Sequence, residues 1–156
     1  CVSIQDDPTH DLALIQLKNK TTPKNCHVFS LKSADAQNKN DNKKEEDSIS
    51  SQKLYMIGFN LGPQLALTSE GVKAQITEGE ISQNTDNIKI MYTIPSLHGS
   101  SGSPVVNTYG DLIAINFAGL DGTQSFNYGI KSEHLITLLQ SAGINLADNN
   151  DSKNSE

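Results

Sequence analysis

The sequence predicts an all-β fold, a barrel or a sandwich, that ends in one helix. Short apolar segments with strand-like alternation recur along the chain, and turns rich in Gly and Asn separate them. A single stretch near the end has helical spacing instead. The 156 residues are enough for one domain with a core, although the apolar content of 35% is low.

The elements follow in chain order. Residues 1–4 have the character of the middle of a strand, and further strands are predicted at residues 12–17, 27–31, 53–59, 72–82, 88–94 and 125–130. Gly79 marks a bulge or bend. Residues 105–106 and 112–115 flank the turn signal 107–111 and predict a hairpin. Apolar residues from Leu135 to Leu139, after Ser132 as a potential cap, predict an amphipathic helix.

Composition excludes several classes of function. Residues 33–52 are almost entirely polar and predict a mobile surface loop, and a polar tail follows residue 146. The net charge of −6, with no basic cluster free of acids, argues against a nucleic-acid partner. No apolar run could span a membrane, and no signal peptide is visible. Cys1 and Cys26 fit no metal spacing and either pair or stay free, so no metal or cofactor is expected.

The most informative motif is Gly99-Ser100-Ser101-Gly102-Ser103-Pro104. Glycines on either side of a serine indicate a tight backbone that exposes a hydroxyl and directs amide N–H groups at one point, as a nucleophile requires. A plain Gly/Ser turn is the alternative. The motif departs from the nucleophile elbow Gly-x-Ser-x-Gly, because Ser103 replaces the second glycine and no helix follows.

The chain resembles the trypsin-like serine peptidases, and especially the bacterial HtrA/Deg group. Asp11-Leu12-Ala13-Leu14-Ile15 resembles the segment with the triad aspartate, and residues 99–104 resemble Gly-x-Ser-Gly-Gly-Pro. The blocks at residues 57–62, 76–82 and 110–116 resemble the same group. Ser103 departs from the family's second glycine, and its Cβ is expected to tighten the strand near the nucleophile.

The resemblance implies a double β-barrel. Residues 1–32 would be the remnant of a first barrel, residues 33–52 a polar disordered insert, residues 53–145 a second barrel with the C-terminal helix, and residues 146–156 a disordered tail. The expectation is therefore an N-terminally truncated fragment. By family analogy the protein is extracytoplasmic, either periplasmic or secreted.

The resemblance also assigns roles. Ser101 would be the nucleophile, Asp11 would orient the catalytic histidine, and the N–H groups of Gly99 and Ser101 would form the oxyanion hole. Four residues would bind polypeptide substrate: Pro95, Asn116, Phe117 and Ala118. Because Pro95 stands where trypsin has an acid, we expect small or medium apolar residues, not basic ones, before the scissile bond.

No histidine of the chain is assigned as the base. His10 adjoins Asp11 and, on a strand, would face away from it, while His27 and His134 are expected to face solvent. His98 is either a loop residue or an edge of the specificity pocket. The base is therefore expected upstream of Cys1. A non-catalytic trypsin-like module that binds peptides, and an unrelated β-sandwich with a chance Gly/Ser turn, are the alternatives.

Overall fold

A closed six-stranded antiparallel barrel is the centre of the fold. The computed structural model describes residues 1–29, 31, 52–84, 86–119, 127–144 and 146. Its elements are β1 (Val2–Asp7), β2 (Leu12–Gln16), β3 (Lys53–Gly58), α1 (Pro63–Ala66), β4 (Leu67–Thr68), β5 (Gly71–Val72), β6 (Gln75–Gln83), β7 (Lys89–Tyr92), β8 (Pro104–Asn107), β9 (Leu112–Gly119), β10 (Asn127–Lys131) and α2 (Ser132–Ser141). Around the barrel the order is β10-β7-β6-β3-β8-β9, with β9 closing onto β10.

The barrel closes over an apolar core because alternate residues of its strands point inward. Leu54 and Met56 alternate on β3, and Ile90 and Tyr92 alternate on β7; all four are almost fully buried. The other buried members of this core are Ile81, Ile94, Val105 and Ala114.

A second apolar cluster joins β1 and β2 to the rest of the fold. These strands form a separate two-stranded sheet. Leu12 and Leu14 of β2 pack with Ile130 of β10 and Leu138 of α2. The side-chain amide of Gln5 also donates to the Ser141 hydroxyl at 2.7 Å. The hairpin is thus docked on helix α2 and the outer face of β10.

Most predicted elements are confirmed, with small differences. The strand expected over residues 27–31 is wrong, because no strand pairs with its described residues and Val28 is exposed. Ser132 is the buried first residue of α2 and not its cap, which is Lys131 without a side-chain hydrogen bond. Helix α1 and the small β4–β5 hairpin were not predicted. Residues 33–51 of the predicted insert, and residues 147–156 of the predicted tail, lie outside the described residues.

Candidate active site

The turn that carries Ser101 has a backbone that requires its glycines. Gly99 and Gly102 have φ of +95° and +83°, values that L side chains rarely adopt. The N–H of Ser100 donates to the Leu97 carbonyl at 3.0 Å, which closes the turn before the serine. Ser101 is therefore exposed at the apex between two left-handed residues.

Some of the hydroxyl and amide groups of this turn donate hydrogen bonds, and others have no acceptor in the described structure. Ser101 Oγ donates to the Phe117 carbonyl at 3.1 Å. The N–H of Ser100 is used within the turn, whereas the N–H groups of Gly99 and Ser101 donate to no acceptor in the described parts of the chain. Two unpaired donors beside an exposed hydroxyl are the groups that would stabilise a developing oxyanion.

A buried polar network supports the turn from inside the barrel. Asn116 is 1% exposed, and its Oδ1 accepts a hydrogen bond from Tyr92 Oη at 2.6 Å. Its Nδ2 lies 2.9 Å from Ser96 Oγ, 3.1 Å from the Ser100 carbonyl and 3.3 Å from Ser100 Oγ. Burial raises the pKa of Tyr92, so its phenol stays a neutral donor. Buried polar groups with satisfied partners hold one geometry, and this geometry fixes Ser100, the residue before Ser101.

The loop after β3 supports the turn from the side. The Leu61 N–H donates to the His98 carbonyl at 2.7 Å. Gly99 lies so close to this loop that a Cβ on it would stand 2.5 Å from the Phe59 carbonyl oxygen. A side chain at Gly99 would therefore displace either the loop or the N–H that the turn presents.

Ser103, the departure from the family motif, packs against Gly58 of β3. Ser103 is buried, and a Cβ built on Gly58 would clash with its side chain. The Ser103 carbonyl also accepts the Asn116 N–H at 2.8 Å. The Cβ of Ser103 is thus accommodated because Gly58, which it faces on β3, has none.

Strand β9 has a free edge next to Ser101. The pairing of β9 with β8 ends where Ile115 lies opposite Pro104. One residue further along β9, the Asn116 carbonyl accepts a hydrogen bond from the Gly102 N–H at 2.8 Å. Residues 117–119 continue past this point with β10 on the other side. No strand among the described residues pairs with the other edge of this segment.

The predicted substrate-binding residues have different surroundings. Pro95 is exposed, whereas the Asn116 side chain belongs to the buried network. The Phe117 ring stacks on Tyr128 with centroids 5.8 Å apart, and Lys89 Nζ lies 4.9 Å from the Tyr128 centroid. Ala118 contributes the backbone of the free edge. The substrate-binding roles of all four residues stay predictions.

Asp11 lies in the turn before β2, not on a strand. Its backbone is left-handed, with φ of +53°, and the residue is exposed. No hydrogen bond or ion pair to its carboxylate is formed within the described residues. The next residue, Leu12, belongs to the cluster on which Phe117 packs. The structure thus brings Ser101, Gly99, Asn116 and Phe117 together. Asp11 forms no hydrogen bond or ion pair with them within the described residues, and only its neighbour Leu12 shares an apolar cluster with Phe117.

None of the four histidines is hydrogen-bonded to Ser101, and each has other neighbours. His10 Nδ1 lies 2.6 Å from Asp7 Oδ2. His134 is half-buried and stacks on His10, so the expectation that it faces solvent was wrong. His27 is exposed beside Phe29, and His98 is exposed with its carbonyl bound to the loop after β3. No hydrogen bond joins any of these imidazoles to Ser101.

Part of this site was beyond sequence reasoning. Asn116 was placed on a strand from the sequence alone. Tyr92, Ser96 and Ser100, which are the hydrogen-bond partners of the Asn116 side chain, were not predicted as functional residues. One signal was present: Leu112, Ala114 and Asn116 alternate, which directs the amide into the barrel, where it requires polar partners.

Comparison with known proteins agrees with this geometry. The trypsin-like peptidase domain family matches residues 2–115. A search of curated proteins gave no match. Among solved structures, the serine endoprotease from Yersinia pestis superposes with a TM-score of 0.65 at 18% identity, over 90% of this chain and 43% of that one.

Two further structures share the fold. The HtrA-type protease AlgW with a decapeptide has a TM-score of 0.59 at 23% identity, and a variant of it with a decapeptide has 0.61 at 22%. Each comparison covers 90% of this chain and 39% of the other. The chain therefore spans about two fifths of the length of these structures.

The described residues contain neither a metal site nor a disulfide. No group of three His, Cys, Asp or Glu side chains there is arranged to hold a metal ion. Both cysteines are exposed and unpaired. No helix in the described ranges has the length and apolar character to cross a membrane.

Proposed function

Because this chain belongs to the trypsin-like peptidase domain family, we propose that it acts as part of a serine endopeptidase with Ser101 as nucleophile. One observation carries the proposal. Ser101 is exposed between Gly99 and Gly102, and the N–H groups of Gly99 and Ser101 are left without acceptors in the described structure. The buried network around Asn116 holds the turn before Ser101 in one geometry, which supports the proposal.

The reaction proceeds through an acyl-enzyme. Ser101 Oγ gives its proton to a base and attacks the carbonyl carbon of the scissile peptide bond. The carbonyl oxygen becomes an oxyanion that accepts hydrogen bonds from the N–H groups of Gly99 and Ser101. The base returns the proton to the leaving amine, and a water then hydrolyses the acyl-enzyme by the same steps.

The base is supplied by a histidine outside these 156 residues, and Asp11 orients it. The surroundings of the four histidines support this proposal, because His10 and His134 bind other groups and none is bonded to Ser101. The exposed Asp11 carboxylate, without a described partner, is open to such an imidazole. Loss of the base costs several orders of magnitude, so the 156 residues alone are nearly inactive.

Substrate polypeptide lies along the free edge of β9. Its backbone pairs with residues 117–119, so that the scissile carbonyl meets Ser101, which already contacts the Phe117 carbonyl. Pro95 and Phe117 favour small or medium apolar side chains before the bond. Profiling with a peptide library that gave a basic preference would refute this specificity.

The test of the proposal is hydrolysis of a peptide library by the longest form of the protein, as wild type, Ser101→Ala and Ser69→Ala. Ser101→Ala removes one exposed hydroxyl and should abolish turnover while changing the free energy of unfolding by no more than about 0.5 kcal/mol. Ser69, in the β4–β5 turn, is the matched control and should retain full turnover. Equal turnover by all three proteins would exclude Ser101 as the nucleophile.

A second candidate function is a non-catalytic module that binds peptides along β9. The observation that favours it is that none of the four histidines is bonded to Ser101. Under this alternative, Ser101→Ala leaves peptide binding unchanged and no form of the protein hydrolyses peptides.

The proposed location is extracytoplasmic, periplasmic or secreted, by analogy with HtrA-type proteases. Fractionation of the native cells tests it: the protein should be found outside the cytoplasmic fraction, and retention within that fraction would refute it.

A further inference from the structure

Asp7, His10 and His134 form a side-chain cluster away from Ser101, which we call the histidine latch. His10 Nδ1 lies 2.6 Å from Asp7 Oδ2. The His10 and His134 rings stack with centroids 4.0 Å apart and planes 20° apart. His134 Nε2 lies 3.0 Å from the Asn87 carbonyl oxygen. The latch therefore joins the turn between β1 and β2 to helix α2 and to the segment before β7.

The partners of the two rings define where their protons lie. A hydrogen bond from His10 lowers the pKa of Asp7, so Asp7 is a carboxylate that accepts from His10 Nδ1–H. A carbonyl can only accept, so His134 Nε2–H donates to Asn87. Each neutral ring keeps one nitrogen that can take a further proton, and imidazole is the side chain whose charge changes between pH 5 and 8.

We propose that the histidine latch positions the turn that carries Asp11, and that the latch opens when both imidazoles are protonated. The first added proton is compensated by the Asp7 carboxylate. The second would put two like charges on rings 4.0 Å apart, with no second carboxylate bonded to either ring in the described structure. Repulsion would then replace stacking and separate the turn from α2.

The other charged groups on these elements do not offset the second charge. Asp86, before β7, accepts hydrogen bonds at its Oδ1 from the N–H groups of Ile88 and Lys89, at 2.7 and 2.9 Å. The other charged residues of the segments around the latch are Asp6 on β1, Asp11 in the turn, Lys89 on β7, Lys131 at the end of β10 and Glu133 on α2. None of them is hydrogen-bonded to His10 or His134 within the described residues.

Asp11 depends on the latch because Asp7 closes the turn in front of it. Asp7 Oδ1 accepts the N–H groups of Thr9 and His10 at 3.1 and 3.3 Å. Asp11 follows directly, in its left-handed conformation. The opening of the latch is independent of catalysis; its effect on activity rests on the proposed function, in which Asp11 orients the base.

Amide hydrogen exchange of the 156-residue chain at pH 7.5 and pH 5.0, corrected for the intrinsic rates, tests the latch. In the wild type, protection of the Thr9 and His10 amides should fall at least about tenfold at pH 5.0, while amides of β7 stay protected. His134→Phe keeps an aromatic ring that cannot be charged, and should retain protection at both pH values. His134→Ala removes the stack and should lose protection at both.

His27→Asn is the matched control, because His27 is exposed and contacts Phe29; it should behave as the wild type. The latch is refuted if His134→Phe loses protection at pH 5.0 as the wild type does, or if the wild type keeps it. Peptide hydrolysis by the longest form is measured separately. Absence of Ser101-dependent hydrolysis in every variant would count against the proposed function and would leave the exchange result standing.

Discussion

The Ser103 side chain occupies the position that a Cβ on Gly58 would take, between β3 and the turn of Ser101. A Cβ on Gly58 would clash with the Ser103 side chain, which is buried. Gly58→Ala should therefore lower the free energy of unfolding by about 1–3 kcal/mol through overpacking. Ser103→Gly in the same chain should recover most of this loss, because it removes the atoms that the new methyl meets.

Urea denaturation of the wild type, the two single variants and the double variant gives the coupling energy directly. Additive effects would show that Gly58 and Ser103 do not compete for this space, and that Ser103 needs no compensation from β3.

Tyr92 gives the buried network a pH-dependent signature. Burial raises its pKa, so the folded protein holds the phenol proton more tightly than the unfolded chain, whose tyrosines titrate near about 10. The contribution of the Tyr92 phenol proton to the free energy of unfolding is fully present below about pH 10 and is lost as the pH rises above that value. Stability should thus fall above about pH 10, and the fall should be smaller in Tyr92→Phe.

Tyr92→Phe also leaves Asn116 Oδ1 without its described donor, which costs about 1–3 kcal/mol at neutral pH. Chemical denaturation at pH 7 and pH 11 measures both effects. Tyr109→Phe is the control, since Tyr109 is exposed. An equal response of the two variants would contradict the role given to Tyr92.

At the scale of elements, docking of the β1–β2 hairpin on α2 depends on the second apolar cluster. Leu138 is buried against Leu12 and Leu14. Leu138→Ala should cost about 2–5 kcal/mol and expose the hairpin to exchange before the barrel unfolds. Leu67→Ala, at a position 69% exposed, should stay within about 0.5 kcal/mol of the wild type. A uniform loss of protection over the whole chain would show that hairpin and barrel unfold as one unit.

Local sequence signals predicted some elements better than others. The β8–β9 hairpin was predicted because apolar residues flank the turn signal 107–111. In the structure Asn107 Oδ1 stabilises this turn by accepting the N–H groups of Tyr109 and Asp111 at 2.9 Å each. Helix α1 was missed because it is four residues long and follows a turn signal. The strand over residues 27–31 was wrong because apolar alternation does not supply a pairing partner.

At the level of the whole molecule, the sequence sufficed for the family, because several ordered blocks resemble the trypsin-like peptidases and the family model matches residues 2–115. It did not suffice for the contacts between distant segments. Tyr92, Ser96 and Ser100 meet around Asn116 only when the barrel closes. The stack of His10 on His134 likewise joins positions that no local pattern relates. Long-range side-chain pairs of this kind are set by tertiary packing.

Covalent labelling by a peptidyl phosphonate measures whether Ser101 needs a base from outside the 156 residues. The measurement is the rate at which the phosphonate modifies each protein, with the modified residue mapped by mass spectrometry. We expect slow labelling of the 156-residue chain, fast labelling at Ser101 in a longer form that adds a histidine, and no labelling in Ser101→Ala. Fast labelling of the 156 residues alone, or labelling of the longer form at a residue other than Ser101, would contradict this expectation.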